Sequence, residues 1–162
     1  MEQERVGFLK ANSGKKGEGM PVVRNPKFYF REGFCWSDIN TTFLKCRKKQ
    51  KSVNDVKSMS LYALAEIIPE YFLICLINSK FISYYVNDFV NNTQTFQIND
   101  ARQLPIIIPS QGNLLKFETL FNSAIEIKRK HFSNKLSMNE VEICLNEIQR
   151  KLDSMVAELY GI

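Results

Sequence analysis

The C-terminal part of the chain carries the pattern that most restricts its fold. Ser137 and Glu140 have the spacing of a capping box, in which each side chain bonds the backbone N–H of the other residue. Beyond them, apolar residues recur at alternating spacings of four and three: Val141, Leu145, Ile148, Leu152, Met155 and Leu159. That repeat predicts a helix with a coiled-coil-like seam, which Gly161 ends in the C′ position.

A second helical stripe precedes this seam. It follows Asn113, the predicted N-cap residue, and consists of Leu114, Phe117, Leu120, Phe121 and Ala124. We therefore expect an antiparallel helix pair over residues 113–162. The seam either packs on its own domain, which is the favoured interpretation, or forms a surface that docks on a partner helix or domain.

Short strands are predicted in the first half of the chain. Aromatic and polar residues alternate over residues 28–31 and 34–39, which is typical of a hairpin or of two short strands. Residues 41–46 are a further strand candidate. Residues 47–52 have no periodicity and predict a surface loop.

Two short helices are predicted next. Pro69 fits the first turn of a helix that runs through Ile77, and Asn78-Ser79 breaks the chain before a second helix from Lys80 to about Phe89. Residues 60–68 fit a strand or a helix equally well. A turn at 91–93 and short strands at 94–98 and 106–108 complete this region.

These elements predict one α+β domain with a small irregular mixed sheet and packed helices, followed by the C-terminal antiparallel helix pair. A length of 162 residues fits one such domain. The sheet region covers residues 25–110 and the helix pair 113–162, while residues 1–24, rich in Gly, Lys and Ser, form a flexible lead-in. No apolar run approaches the roughly 18 residues of a transmembrane helix, and no secretory signal opens the chain, so we expect a soluble cytoplasmic protein.

No metal site is expected from the cysteines and the histidine. Cys35, Cys46, Cys75 and Cys144 lie far apart, and His131 is the single histidine. Because zinc sites need closely spaced pairs of ligands, we expect free and mostly buried thiols.

Positive charge is concentrated near the N-terminus. Residues 1–57 hold 13 Lys and Arg against 6 Asp and Glu, whereas residues 58–162 hold 9 against 11. This asymmetry favours a basic face for a polyanion, although basic loops are often only solvated surface.

The segment at 74–109 links an apolar helix ending in Asn78-Ser79-Lys80, an aromatic-rich helix, a polar turn at 93–97 and an apolar run closed by Pro109. In that order it resembles the target-recognition domain of large adenine-specific DNA methyltransferases of the type IIG restriction-modification and BREX phage-defence kind. Residues 25–39 look like the start of that family's recognition domain, and residues 152–162 look like its C-terminal helix end. The resemblance covers about residues 20–162.

The resemblance implies a module that reads double-stranded DNA, with catalysis located elsewhere. The chain has no Gly-rich turn for AdoMet, and residues 25–28 (Asn-Pro-Lys-Phe) have Lys where the family's catalytic tetrapeptide has a second Pro. We assign no catalytic, cofactor-binding or metal-binding residue, so AdoMet would bind only to a separate catalytic domain or subunit. The resemblance leaves open whether this chain is an enzyme. The family consists of methyltransferases, but this chain resembles a truncated or split member that is inactive alone.

DNA recognition needs phosphate anchors and base readers. The predicted anchors are five clustered cations: Lys45, Arg47, Lys48, Lys49 and Lys51. The candidate base or backbone contacts are residues with suitable donors and acceptors: Arg31, Trp36, Asn40, Thr41, Asn91, Asn92, Gln94 and Thr95.

The partners are then duplex DNA and, where one is present, a methyltransferase or restriction catalytic subunit, with no membrane and no metal. An alternative function is a protein-interaction module that uses the C-terminal heptad helix pair and has no role on DNA.

Overall fold

The computed structural model describes residues 26–53, 58–62 and 68–162, with isolated positions at 4, 7, 8, 11 and 12. Nearly all of the predicted lead-in at 1–24, and much of the ambiguous segment at 60–68, lie outside these residues. The described part is α+β, as predicted. Its strands are β1 (Gly33–Ser37), β2 (Cys46–Lys49) and β3 (Ser58–Leu61), and its α-helices are α1 (Glu70–Ile77), α2 (Lys80–Tyr85), α3 (Ile98–Ala101), α4 (Gln111–Phe132) and α5 (Met138–Tyr160).

The three strands form a sheet in the order β2-β1-β3. Both neighbours are antiparallel to β1, so the sheet that was predicted as mixed is antiparallel in the described residues. Strand β1 is the central strand, and its residues Phe34, Cys35 and Trp36 are all buried. Gly33 permits the close approach of β3, since a Cβ there would lie 2.5 Å from the Leu61 carbonyl oxygen.

The prediction for 34–39 is confirmed by β1, but three neighbouring predictions are wrong. Residues 28–31 are not a strand, because a 3₁₀ turn at Pro26–Phe28 leads into Phe30, whose φ is 58°. Residues 41–45 form a loop, in which the Leu44 N–H donates to Ser83 Oγ at 3.0 Å. The strand begins instead at Cys46 and takes in half of the predicted surface loop, because its backbone pairs with β1.

The Asn78-Ser79-Lys80 segment breaks the chain between two helices, as predicted. Ser79 is fully buried, and its hydroxyl caps α2 by accepting from the Ile82 N–H at 3.3 Å. The backbone N–H of Lys80 donates to Asp153 of α5 at 2.9 Å. This short segment therefore fixes α1, α2 and α5 relative to one another.

Helix α2 continues into a π-helical turn at Val86–Val90, which confirms a helical segment from Lys80 to about Phe89. The predicted strand at 94–98 is wrong, since it is replaced by an isolated bridge between Ile39 and Thr95 and by the start of α3. Residues 106–108 form no strand in the described part of the chain. The residue just before them, Pro105, accepts a hydrogen bond through its carbonyl from the Tyr160 hydroxyl.

The C-terminal helices α4 and α5 pack together as a pair, as predicted. The N-cap residue of α4 is Ser110 and not Asn113, because the Ser110 hydroxyl accepts from the Asn113 N–H at 3.4 Å. The capping box of Ser137 and Glu140 is present, and Gly161 closes α5 in the left-handed region with φ of 71°.

One core joins the sheet region to the helix pair. It contains Phe34 and Trp36 from β1, Phe72 from α1, and Phe117 and Val156 from the pair. The rings of Phe72 and Phe117 meet edge to face at 5.1 Å. Residues 25–110 and 113–162, which we predicted as separate regions, share this core within the described residues.

Candidate nucleic-acid interface

A polar cleft of about 150 Å³ lies between the loop after β1 and the turn after α2. Its walls consist of amides, hydroxyls and a few apolar side chains. The lining residues are Asn40, Thr41, Thr42, Leu44, Ser83, Val86, Asn87, Asn91, Asn92, Thr93, Gln94, Thr95 and Phe96.

Asn91 fixes the shape of the turn that forms one wall. Its Nδ2 donates to the Thr95 carbonyl at 3.2 Å and to Asp100 Oδ2 at 3.1 Å. Its Oδ1 accepts from the backbone N–H of Thr93 at 3.0 Å and from the Thr93 hydroxyl at 2.7 Å. Because this side chain is fully used inside the turn, Asn91 holds the frame of the cleft rather than reading a ligand.

The same turn is tied to the end of β1. The Asn40 N–H donates to the Gln94 carbonyl at 2.7 Å, and the Phe96 N–H donates to the Asp38 carbonyl at 2.8 Å. Trp36 donates from Nε1 to the Phe96 carbonyl at 2.7 Å. These bonds join the two walls, so the cleft has a defined width before any ligand binds.

The cleft also presents uncommitted polar groups. In the described part of the chain, the side chains of Thr41, Thr42, Asn92 and Gln94 make no hydrogen bond, and all four are exposed. The cleft lining contains no ionisable side chain among the described residues. Such an arrangement can hydrogen-bond neutral polar groups such as base edges.

Six of the eight predicted base or backbone contacts meet at this cleft. Asn40, Thr41, Asn92 and Gln94 keep free donors or acceptors, whereas Asn91 and Thr95 are bonded within the turn. The sequence grouped these residues into two loops, and the structure brings the two loops together.

Trp36 and Arg31 do not belong to the cleft. Trp36 is 0% exposed, so its prediction as a DNA contact is wrong: it packs at 5.3 Å from the Phe96 ring in the core. Arg31 is exposed, and its guanidinium lies 5.4 Å from the Phe28 ring centroid and 5.3 Å from that of Tyr62. It thus covers a stacked aromatic pair at another edge of the sheet.

Four of the five predicted phosphate anchors are exposed, namely Lys45, Arg47, Lys48 and Lys51. Lys49 is the exception, because it is 4% exposed and donates from Nζ to the Tyr62 hydroxyl at 2.7 Å. Its prediction as a phosphate contact is therefore wrong. Lys49 differs from the other four because its Nζ also lies 5.0 Å from the centroid of the Tyr62 ring.

A neighbouring basic pocket was missed by the sequence reasoning. It has a volume of about 430 Å³, and its lining includes Phe43, Lys45, Lys80 and Arg150. Leu44 lines both this pocket and the polar cleft. Lys80 and Arg150 lie far from the basic cluster in sequence, so only the packing of α5 against α2 brings them to it.

An apolar groove of about 500 Å³ separates β2 from the helix pair. Three seam residues, Leu145, Ile148 and Leu152, line it, while Met155 and Leu159 pack against the core and Val141 is 1% exposed. Most of the seam thus packs within its own domain, whereas Leu145 and Ile148 stay half-buried at the groove.

Two thiols at this groove are deeply buried. Burial raises the pKa of Cys75 to about 12, and its Sγ lies 3.9 Å from the Phe117 carbonyl oxygen. Burial also raises the pKa of Cys46, with a smaller contribution from nearby Cys35. Both groups therefore remain neutral thiols at physiological pH.

Within the described residues, no group of three or more His, Cys, Asp or Glu side chains is placed to hold a metal ion. The helices described here also lack the combination of length and apolarity that a membrane crossing requires. Neither the known protein-family models nor the curated protein sequences match this chain.

Proposed function

We propose that this chain is a DNA-sequence recognition module of the kind it resembles, that of adenine-N6 DNA methyltransferases in restriction-modification and phage-defence systems. It would act in the cytoplasm, and catalysis and AdoMet binding would reside on a separate domain or subunit. The observation that carries the proposal is the polar cleft, in which six predicted contact residues meet. Their amides and hydroxyls have the chemistry that discriminates base edges.

DNA binding also requires contacts to phosphates, for which exposed cations follow the cleft loop along the chain. Lys45 follows directly from the loop that lines the cleft, and Arg47 and Lys48 continue along β2. Contacts from these side chains to phosphates would release counterions from DNA. Affinity for any duplex should therefore fall steeply with added salt.

Binding of a labelled duplex tests this proposal directly. We expect the affinity of the unmodified protein to fall at least tenfold between about 50 and 200 mM salt. The double variant Arg47→Glu, Lys48→Glu should lose most of the affinity and flatten the salt dependence. Lys116→Glu, Lys151→Glu is the matched control, because it removes the same charge from exposed helical positions outside the cleft and the basic pocket.

A protein that does not bind duplex DNA at low salt would refute the proposal. Equal losses in the two double variants would also refute it, because the effect would then reflect net charge and not the position of β2. Lys49 is left unchanged in both variants, since reversing a buried charge would disturb the fold.

The apolar groove favours a second candidate function, namely binding of a protein segment. It has an apolar floor, including Leu120, Ile125 and Ile148, and a rim with Arg47 and Lys48. That combination suits an acidic amphipathic segment. Under this alternative, DNA affinity would be absent, which the duplex assay decides.

A further inference from the structure

Two exposed aromatic side chains stand next to the polar cleft. Phe43 is 37% exposed and Tyr84 is 56% exposed. Phe43 lies between Thr42 and Leu44, which line the cleft, and Tyr84 follows the cleft residue Ser83. Solvent-exposed rings at such a position have no role in the core described above.

The geometry of the pair leaves ring surface free. The centroids are 5.9 Å apart and the planes stand at 79°, so the edge of one ring faces the plane of the other. In an edge-to-face pair, the ring that contributes its edge keeps both of its own faces clear of its partner. Another flat group can therefore stack on the pair.

Three cationic side chains line the same pocket as Phe43. The basic pocket is lined by Phe43 together with Lys45, Lys80 and Arg150, and no carboxylate of the described residues lines it. Asp153, which is bonded to two residues that line the pocket, uses its Oδ1 to accept from the Lys80 N–H at 2.9 Å and from Gln149 Nε2 at 3.0 Å. The pocket volume of about 430 Å³ lies within the range of roughly 300–1,000 Å³ that is typical of small-ligand sites.

From this arrangement we infer that Phe43 and Tyr84 form a stacking platform for an unpaired nucleobase of single-stranded DNA, whose backbone phosphates lie against Lys45, Lys80 and Arg150. This inference rests on the proposed function and adds to it a second mode of contact. Aromatic rings beside a cationic track are how single strands are bound without regard to sequence, because every base has a flat face. Paired bases inside a duplex are stacked on one another and cannot use the platform.

Fluorescence of a short single strand that carries 2-aminopurine at its centre provides the test. Stacking on the platform should quench the probe when the unmodified protein binds. Phe43→Ala, Tyr84→Ala should remove the quenching and weaken single-strand affinity about tenfold or more. Phe132→Ala, which removes an 80% exposed ring at the far end of α4, should leave both unchanged.

A second pair of variants tests the phosphate contacts separately. Arg150→Glu should weaken single-strand binding, whereas Lys151→Glu, the adjacent exposed position outside the pocket, should not. Thermal unfolding of all four variants verifies that each is folded before affinity is compared.

The outcomes separate this inference from the proposed function. If duplex binding is salt-dependent but the aromatic variant quenches as strongly as the unmodified protein, the platform is refuted and the proposed function stands. If single strands are bound with quenching and duplexes are not bound, recognition of duplex DNA is refuted and only the single-strand contact is supported. If neither is bound, both are refuted.

Discussion

The side-chain amide of Asn78 pairs with the backbone of Cys46 in both directions, as a neighbouring strand would. Its Nδ2 donates to the Cys46 carbonyl at 2.8 Å, and its Oδ1 accepts from the Cys46 N–H at 2.9 Å. The same Nδ2 lies 2.9 Å from the Ile74 carbonyl. One side chain thus ends α1 and occupies the outer edge of β2, which would otherwise be open to pairing with another chain.

Replacing Asn78 by Ala should therefore destabilise the protein more than an ordinary polar substitution. It leaves backbone groups of Cys46 without their partner, at a cost of about 2 kcal/mol or more in the free energy of unfolding. Asn122→Ala, at an exposed position in the middle of α4, is the control and should change stability by less than about 0.5 kcal/mol. Urea unfolding followed by circular dichroism measures both, and similar losses in the two variants would contradict the assigned role.

The capping box should make helix α5 sensitive to acid. Hydrogen bonds from the Ser137 hydroxyl and the Ser137 N–H lower the pKa of Glu140 below its usual 4.5. A carboxyl whose folded pKa is lowered contributes stability above its unfolded pKa and loses that contribution as the pH falls through the folded pKa. The melting temperature of the unmodified protein should thus exceed that of Glu140→Gln near neutral pH, and the difference should shrink below about pH 4.5.

Glu142→Gln serves as the control for that experiment, because it removes one negative charge from the same helical turn without touching the capping box. A difference between Glu140→Gln and the unmodified protein that is independent of pH would show that the charge of Glu140 does not matter to the cap.

The cysteines should differ sharply in reactivity. Cys35, Cys46 and Cys75 are buried, and burial raises the pKa of both Cys46 and Cys75, whereas Cys144 is half-buried on α5. With a thiol-exchange reagent at about pH 8, we expect one faster-reacting thiol and others that react only on unfolding. Cys144→Ser should abolish the faster phase, and its persistence would contradict the assignment.

The free side chains of the polar cleft should determine which DNA sequence is bound, but they should contribute little to the stability of the fold. Thr41→Ala, Asn92→Ala, Gln94→Ala removes side chains that make no hydrogen bond within the described residues, so the melting temperature should change little. If the proposed function holds, this triple variant should still bind DNA in a salt-dependent way but should enrich no sequence from a pool of randomised duplexes. Sequencing of the bound fraction measures this, and unchanged enrichment would place the readers elsewhere.

Helices were predictable from sequence because their signals are local. The capping box at Ser137, the left-handed Gly161 and the break at Asn78-Ser79 act over one turn of chain, and all three lie where the pattern indicated. The start of α4 was displaced because Ser110 and Asn113 are both good N-cap residues. Local chemistry alone does not choose between them.

Strand β2 could not be predicted, because its stability comes from partners that are distant in sequence. Residues 46–49 carry no alternating pattern, yet Trp36 pairs with Cys46 on one side and Asn78 bonds Cys46 on the other.

The candidate site also depends on contacts between distant residues. The sequence identified the polar loops, but it could not show which amides are used within the turn. That depends on contacts such as the bond of Asn91 to Asp100, which only folding creates.

The shared core also determines how this chain could be moved between larger proteins. Phe72 and Cys75 of α1 lie against Phe117 of α4, so a graft that ended near residue 110 would expose the apolar face of α1 to water. The sheet region without the helix pair should therefore be less stable than the whole. The smallest unit that keeps this core whole therefore runs at least from β1 to Gly161.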